Sequence, residues 1–211
     1  MTANAKIAGL YFVTDSKLSK QGILQDVQQV IAAGCGIVQY REKEKETGEM
    51  VAEAKQIAVL CKEKKVLFLI NDRIDIALAV DADGVHLGQQ DMPCAIARKL
   101  LGNKKIIGLT VHSVEEAAQA QNQGVGYVSV SPIFQTTTKP DAGKPVGIEL
   151  IKEIKSAVKV PVVAIGGINE QNLRQVLEAG ADAVAIISAI VCAGNAAEAA
   201  RRIIKKISEF E

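Results

Sequence analysis

The chain has 211 residues, 48% apolar and 23% charged, with a formal net charge of +1. This is ordinary globular usage, long enough for one sizeable core, and it excludes a disordered or fibrous chain. Near-neutral charge, 3% aromatics and no Trp leave neither a basic footprint nor a stacking platform for nucleic acid.

In chain order, residues 1–6 are polar and lack the apolar core of a signal segment. Residues 10–14 (LYFVT) form the first expected strand. Residues 23–33 carry Ile23, Val27, Val30 and Ile31 at helical spacing, closed by Gly34. The alternation then repeats. Strands are expected over 36–40, 66–70, 84–87, 105–109, 126–130, 160–165 and 183–187. Helices are expected over 49–64, 73–80, 93–101, 114–122, 148–157, 170–179 and 196–210, with a short one over 189–192. The longest apolar stretch, 183–194, is too short to span a bilayer. The four cysteines, Cys35, Cys61, Cys94 and Cys192, form no C-x-x-C pair and read as reduced thiols. A soluble, cytoplasmic protein is the expectation, with no membrane or nucleic-acid partner.

The strands are apolar almost throughout, as parallel strands covered on both faces must be. Eight strand–helix units in this length fit an α/β fold of the (β/α)8 TIM-barrel class, one domain over 1–211. An open doubly wound sheet would need a glycine-rich turn after the first strand. Thr14-Asp15-Ser16-Lys17 is not one.

In such barrels the chemistry sits at the C-terminal ends of the strands. After the second strand comes Gln39-Tyr40-Arg41-Glu42-Lys43. Alternation puts Gln39, Arg41 and Lys43 on one side, two cations and an amide suited to a polyphosphate. A solvated charge run is the plainer alternative, since Glu44-Lys45-Glu46 continues it. Asn71-Asp72 and His86-Leu87-Gly88-Gln89-Gln90-Asp91 follow the third and fourth strands. Two carboxylates on adjacent loops suit Mg²⁺ shared with phosphate oxygens, although either Asp can instead cap the next helix. Thr110 stands at the rim after the fifth strand, as a phosphate ligand or a cap. The sixth strand precedes the longest connection, 131–147, with Thr136-Thr137-Thr138-Lys139; a polar loop of this length at the active face is a candidate lid. Gly166-Gly167 and Ile187-Ser188 end the last two strands, where such barrels often hold a phosphate on backbone N–H groups. Neither His86 nor His112 has a spaced partner for zinc.

Taken together, these phrases resemble the thiamine phosphate synthase family over nearly the whole chain. Ser131-Pro132-Ile133-Phe134, Ile165-Gly166-Gly167-Ile168 and Ile187-Ser188-Ala189-Ile190 belong to the same pattern. The resemblance implies Mg²⁺-dependent coupling of two small phosphorylated heterocycles, a hydroxymethylpyrimidine diphosphate and a thiazole phosphate. It assigns the diphosphate to the Gln39–Lys43 segment (Gln39, Tyr40, Arg41, Glu42, Lys43) with Asn71, Thr110 and Lys139. Arg41, Lys43 and Lys139 are its catalytic cations, and Asp72 and Asp91 its metal ligands. It assigns the thiazole phosphate to Thr136, Thr137, Thr138, Gly167, Ile187 and Ser188. Ser131 and Thr110 depart from the commonest residues of the family. A tautomerase relative on the same barrel carries a histidine where this chain has Pro132, and a non-catalytic sensor of thiamine precursors has no need of the two Asp. The sequence leaves open whether the chain forms a homo-oligomer.

Overall fold

The structure, a computed structural model, describes residues 7–138 and 143–210. Its elements alternate without exception until the C-terminal pair of helices: β1 (Gly9–Val13), α1 (Ile23–Ala32), β2 (Ile37–Tyr40), α2 (Thr47–Lys64), β3 (Leu67–Asn71), α3 (Ile74–Ala79), β4 (Gly84–Leu87), α4 (Cys94–Leu101), β5 (Ile106–Val111), α5 (Val114–Asn122), β6 (Tyr127–Val130), α6 (Glu149–Ala157), β7 (Val162–Ile165), α7 (Leu173–Glu178), β8 (Ala183–Ile186), α8 (Ser188–Val191) and α9 (Ala196–Ser208). The strands are parallel and close into a barrel in sequence order, with β1 paired to β8 through Leu10↔Val184 and Phe12↔Ile186. This is the (β/α)8 barrel expected from the pattern.

Strand alternation divides the apolar residues between two compartments. Leu10, Phe12, Val38, Tyr40, Phe68 and Ile70 point outward into the layer shared with the helices. Tyr11, Val13, Ile37, Leu69, Tyr127, Val163 and Ala185 point inward and fill the barrel. Both faces being covered is why the strands read as continuous apolar runs. Gly108 makes room for the largest inward group: a Cβ there would lie 2.0 Å from the Tyr127 ring. The four cysteines are free, and Cys35, Cys61 and Cys94 are buried.

Three boundaries differ from the sequence expectation in ways that bear on the site. β5 runs on to Val111, so Thr110 is a strand residue rather than part of the loop. Asn71 likewise closes β3. α7 starts at Leu173 because residues 169–172 turn on side-chain hydrogen bonds: the Asn169 N–H donates to Asn172 Oδ1 (2.8 Å) and the Gln171 N–H to Asn169 Oδ1 (2.9 Å).

Candidate active site

Arg41 follows β2, and its backbone is clamped by β1. The Arg41 N–H donates to Thr14 Oγ1 (2.8 Å), and that hydroxyl donates back to the Arg41 carbonyl (3.0 Å). Its guanidinium pairs with Asp15 at 2.7 Å, both side chains being largely withdrawn from solvent. Lys43 extends to Asp72 at 2.5 Å and remains half exposed. The two cations thus sit above β2 and are aimed by carboxylates from the neighbouring loops.

The two acidic residues that the sequence left between capping and ligation are not caps. α3 is preceded by Arg73 and α4 by Pro93, with no side-chain cap on either. Asp91 instead folds back to accept the Gly88 N–H (2.7 Å). Asp72 occupies a left-handed backbone conformation (φ 59°), with its N–H donated to the His86 carbonyl (2.9 Å). Burial raises the Asp91 pKa from its ordinary value, and hydrogen bonding with Asp72 and its negative charge raise it further, against the Gly88 N–H and Lys43. Two neighbouring carboxylates, one resisting its charge, fit a divalent cation that would neutralise both. Among the described residues no cluster of three or more His, Cys, Asp or Glu could hold a metal. A metal on this pair would therefore take its other ligands from substrate oxygens and water, as Mg²⁺ commonly does.

Across the same rim, the ends of β6, β7 and β8 border an open pocket of about 370 Å³ lined by Gln135, Thr136, Thr137, Thr138, Gly167, Ile168, Asn169, Ser188 and Ala189. Gly166 and Gly167 both have positive φ. A Cβ on Gly166 would meet Pro132 at 2.6 Å, and one on Gly167 the Gln135 carbonyl oxygen at 2.5 Å. Only glycine lets the two loops approach so closely. Asn172 fixes the Gly167 carbonyl (2.9 Å), and the α8 helix opens directly after Ile187. Hydroxyls and backbone N–H groups on a short helix start are suited to a phosphate.

A family model for thiamine monophosphate synthase matches residues 10–190. The chain belongs to the thiamine monophosphate synthase family. Thiamine-phosphate synthase of Methanosarcina mazei is 55% identical over 201 residues, covering 95% of this chain and 83% of that protein. The protein of the same name from Chloroflexus aurantiacus is 46% identical over 200 residues, covering 94% and 92%. In three dimensions, thiamine phosphate pyrophosphorylase from Pyrococcus furiosus superposes with a TM-score of 0.91 at 38% identity over 99% of each chain. As a member of the thiamine monophosphate synthase family, the protein is an enzyme, a transferase of thiamine biosynthesis. Among its described residues, no helix is long and apolar enough to cross a membrane.

Of the residues that the resemblance to this family singled out, Gln39, Arg41, Lys43, Asn71, Asp72, Asp91 and Thr110 lie at or just beyond the C-terminal ends of β2 to β5. Thr136, Thr137, Thr138, Gly167 and Ser188 line the pocket, and Ile187 immediately precedes α8. Lys139 lies outside the described residues. Two residues of the diphosphate segment engage their side chains within the protein. Tyr40 has the outward parity of its strand and donates its hydroxyl to Glu53 on α2 (2.8 Å). Glu42 turns its buried carboxylate back to accept the N–H groups of Lys43 and Glu44, both at 2.7 Å. Both side chains shape the loop that carries the cations.

The sequence reading did not single out Asp15 and Thr14, which aim Arg41. Their signal was present, since they directly follow β1 on the same rim. It also missed Tyr11 and Tyr127, which join Gln39, His86 and Thr110 inside the barrel. Tyr11 and Tyr127 read as ordinary apolar strand residues, and only closure of the barrel brings their hydroxyls together.

Proposed function

We propose that the enzyme couples 4-amino-2-methyl-5-hydroxymethylpyrimidine diphosphate with a 4-methyl-5-(2-phosphoethyl)thiazole, giving thiamine phosphate and diphosphate. The observation that carries this reading is the pairing, on one rim, of two anion sites of different kind. Cations and paired carboxylates serve a diphosphate; hydroxyls and glycine backbone serve a monophosphate. Arg41 and Lys43 bind the diphosphate oxygens, and Lys139 joins them by family resemblance. Asp72 and Asp91 would hold Mg²⁺, which supplies positive charge against those oxygens.

The reaction is a dissociative substitution. The bond between the pyrimidine methylene and the diphosphate oxygen breaks with both electrons leaving on oxygen. Arg41 and Lys43 stabilise the charge that grows there, and that stabilisation lowers the barrier. The thiazole nitrogen donates its lone pair to the resulting pyrimidine-methyl cation. Anchoring of the thiazole phosphate beside Thr136, Thr138, Gly167 and Ser188 makes the capture nearly intramolecular. No protein nucleophile is needed. The tautomerase alternative is disfavoured by Pro132 in the loop after β6, where that relative carries its histidine. The sensor alternative is disfavoured by the Asp72–Asp91 pair, for which a sensor has no use. Incubating the purified chain with both substrates, with Mg²⁺ and with a chelator, tests the assignment. Thiamine phosphate and diphosphate should appear in equal amounts only when Mg²⁺ is present. Absence of product with Mg²⁺, or isomerisation of the thiazole alone, would refute it.

A further inference from the structure

Five polar side chains form a continuous line through the apolar interior of the barrel. Gln39 Nε2 donates to the Tyr11 hydroxyl at 2.7 Å. The Tyr11 and Tyr127 hydroxyls are 2.8 Å apart. Tyr127 lies 2.9 Å from His86 Nδ1, and His86 Nε2 lies 2.9 Å from Thr110 Oγ1. Tyr11 meets Tyr127 edge-on at 6.0 Å, and the His86 ring stacks on Tyr127 at 5.6 Å. Tyr11, Tyr127 and Gln39 are buried.

Hydrogen-bond bookkeeping gives this line a direction. Tyr11 already receives the Gln39 amide proton. Among the described residues its own proton has one acceptor, the Tyr127 oxygen. Tyr127 must then donate to His86 Nδ1, which makes Nδ1 an acceptor and places the ring proton on Nε2. Nε2–H donates to Thr110, whose own hydroxyl proton is released to another acceptor. Protonating both ring nitrogens would reverse the Tyr127 contact and leave one buried phenol proton without an acceptor, which native interiors avoid. Burial pushes both phenol pKa values up, so both hydroxyls keep the protons that the line needs.

We propose that Gln39, Tyr11, Tyr127, His86 and Thr110 form one directed hydrogen-bond chain that fixes His86 as the neutral Nε2–H tautomer and presents Thr110 as a donor at the barrel mouth. Tyr11, Tyr127 and His86 are positioning residues, acting on the pyrimidine diphosphate through Gln39 and Thr110. This second statement rests on the coupling reaction proposed above; the tautomer does not.

The chain has only two histidines, so ring-¹⁵N-labelled protein gives a readable spectrum, with His112→Gln assigning the other ring. In the resting wild-type protein at neutral pH, His86 Nε2 should carry the proton and Nδ1 should resonate as an unprotonated acceptor. Tyr127→Phe, which preserves volume, should mix the tautomers and raise KM for the pyrimidine diphosphate about tenfold, with a smaller effect on kcat. Should that variant not fold, Gln39→Glu replaces the donor at the head of the chain with an acceptor, and should move the ring proton to Nδ1. A wild-type ring protonated on Nδ1 or on both nitrogens overturns the proposal. So does a wild-type tautomer ratio in Tyr127→Phe, or in Gln39→Glu if that is the variant that folds. A wild-type protein with the Nε2–H ring but no coupling activity would refute the reaction and leave the directed chain standing.

Discussion

Asp91 illustrates how a single side chain can be read two ways until its neighbours are placed. Its position just before a Pro-initiated helix suggests a cap, yet its carboxylate accepts the Gly88 N–H and leans on Asp72. Asp91→Ala should lower kcat by roughly 10²–10³-fold, the scale of losing one source of electrostatic stabilisation, here the cation that the Asp72–Asp91 pair would hold. Stability should fall by only about 1 kcal/mol, from the lost Gly88 bond; steady-state kinetics and thermal melts separate the two effects. Glu42 is the structural counterpart. Burial opposes its charge, but the Glu44 N–H, the Ser16 hydroxyl, the Lys43 N–H and the Lys45 ammonium outweigh burial and hold its pKa below the ordinary 4.5. A lowered carboxylate pKa in the folded state contributes stability that is complete above the unfolded value and is lost as pH falls through the folded one. Glu42→Gln should therefore melt below wild type at neutral pH, with the gap closing below about pH 4. A gap that is constant across pH would show that the charge contributes nothing.

At the scale of elements, the loops after β1 and β7 do the aiming. Asp15 holds Arg41 from the end of β1. Asp15→Ala should raise KM for the pyrimidine diphosphate about tenfold, since a freed guanidinium must be ordered on each binding event. KM for the thiazole phosphate should not move. The opposite pattern belongs to Gly167. Its positive φ and the 2.5 Å approach of the Gln135 carbonyl predict that Gly167→Ala costs about 1–3 kcal/mol and raises KM for the thiazole phosphate selectively. Kinetics with each substrate varied in turn check both expectations. These loops also explain the boundary errors. The propensities of 169–172 allow helix, but two Asn side chains compete for the backbone and delay α7 to Leu173. Likewise, β5 continues to Val111 because Thr110↔Ser129 and Val111↔Val130 still pair, a contact that local sequence does not record.

Over the whole molecule, closure of β1 on β8 brings the two proposed anion sites onto one rim. Stability resides elsewhere, in the layer between strands and helices and in the lower barrel. Phe12, fully buried on the outward face of β1, should cost about 3–5 kcal/mol when changed to Ala, a large share of a typical domain stability. At substrate saturation kcat should stay near wild type, as long as the assay is run below the variant's melting point. Urea unfolding and kcat on the same preparation check this division of labour.

The architecture and the roll of candidate site residues are legible in the chain's local pattern. Eight apolar runs alternating with helical ones specify a covered parallel sheet, and the rule that chemistry sits at strand ends picks out Arg41, Lys43, Asp72, Asp91 and Gly167 without coordinates. Tertiary structure decided what depends on parity and closure. Side-chain direction alternates along a strand, so Tyr40 faces helix α2 while Gln39, one residue earlier, faces the interior. Tyr11 and Tyr127 are 116 residues apart and share a hydrogen bond only because the sheet curls until its first and sixth strands look at one another. Local patterns encode which face is apolar; which distant side chains share that face is set by the geometry of the closed sheet.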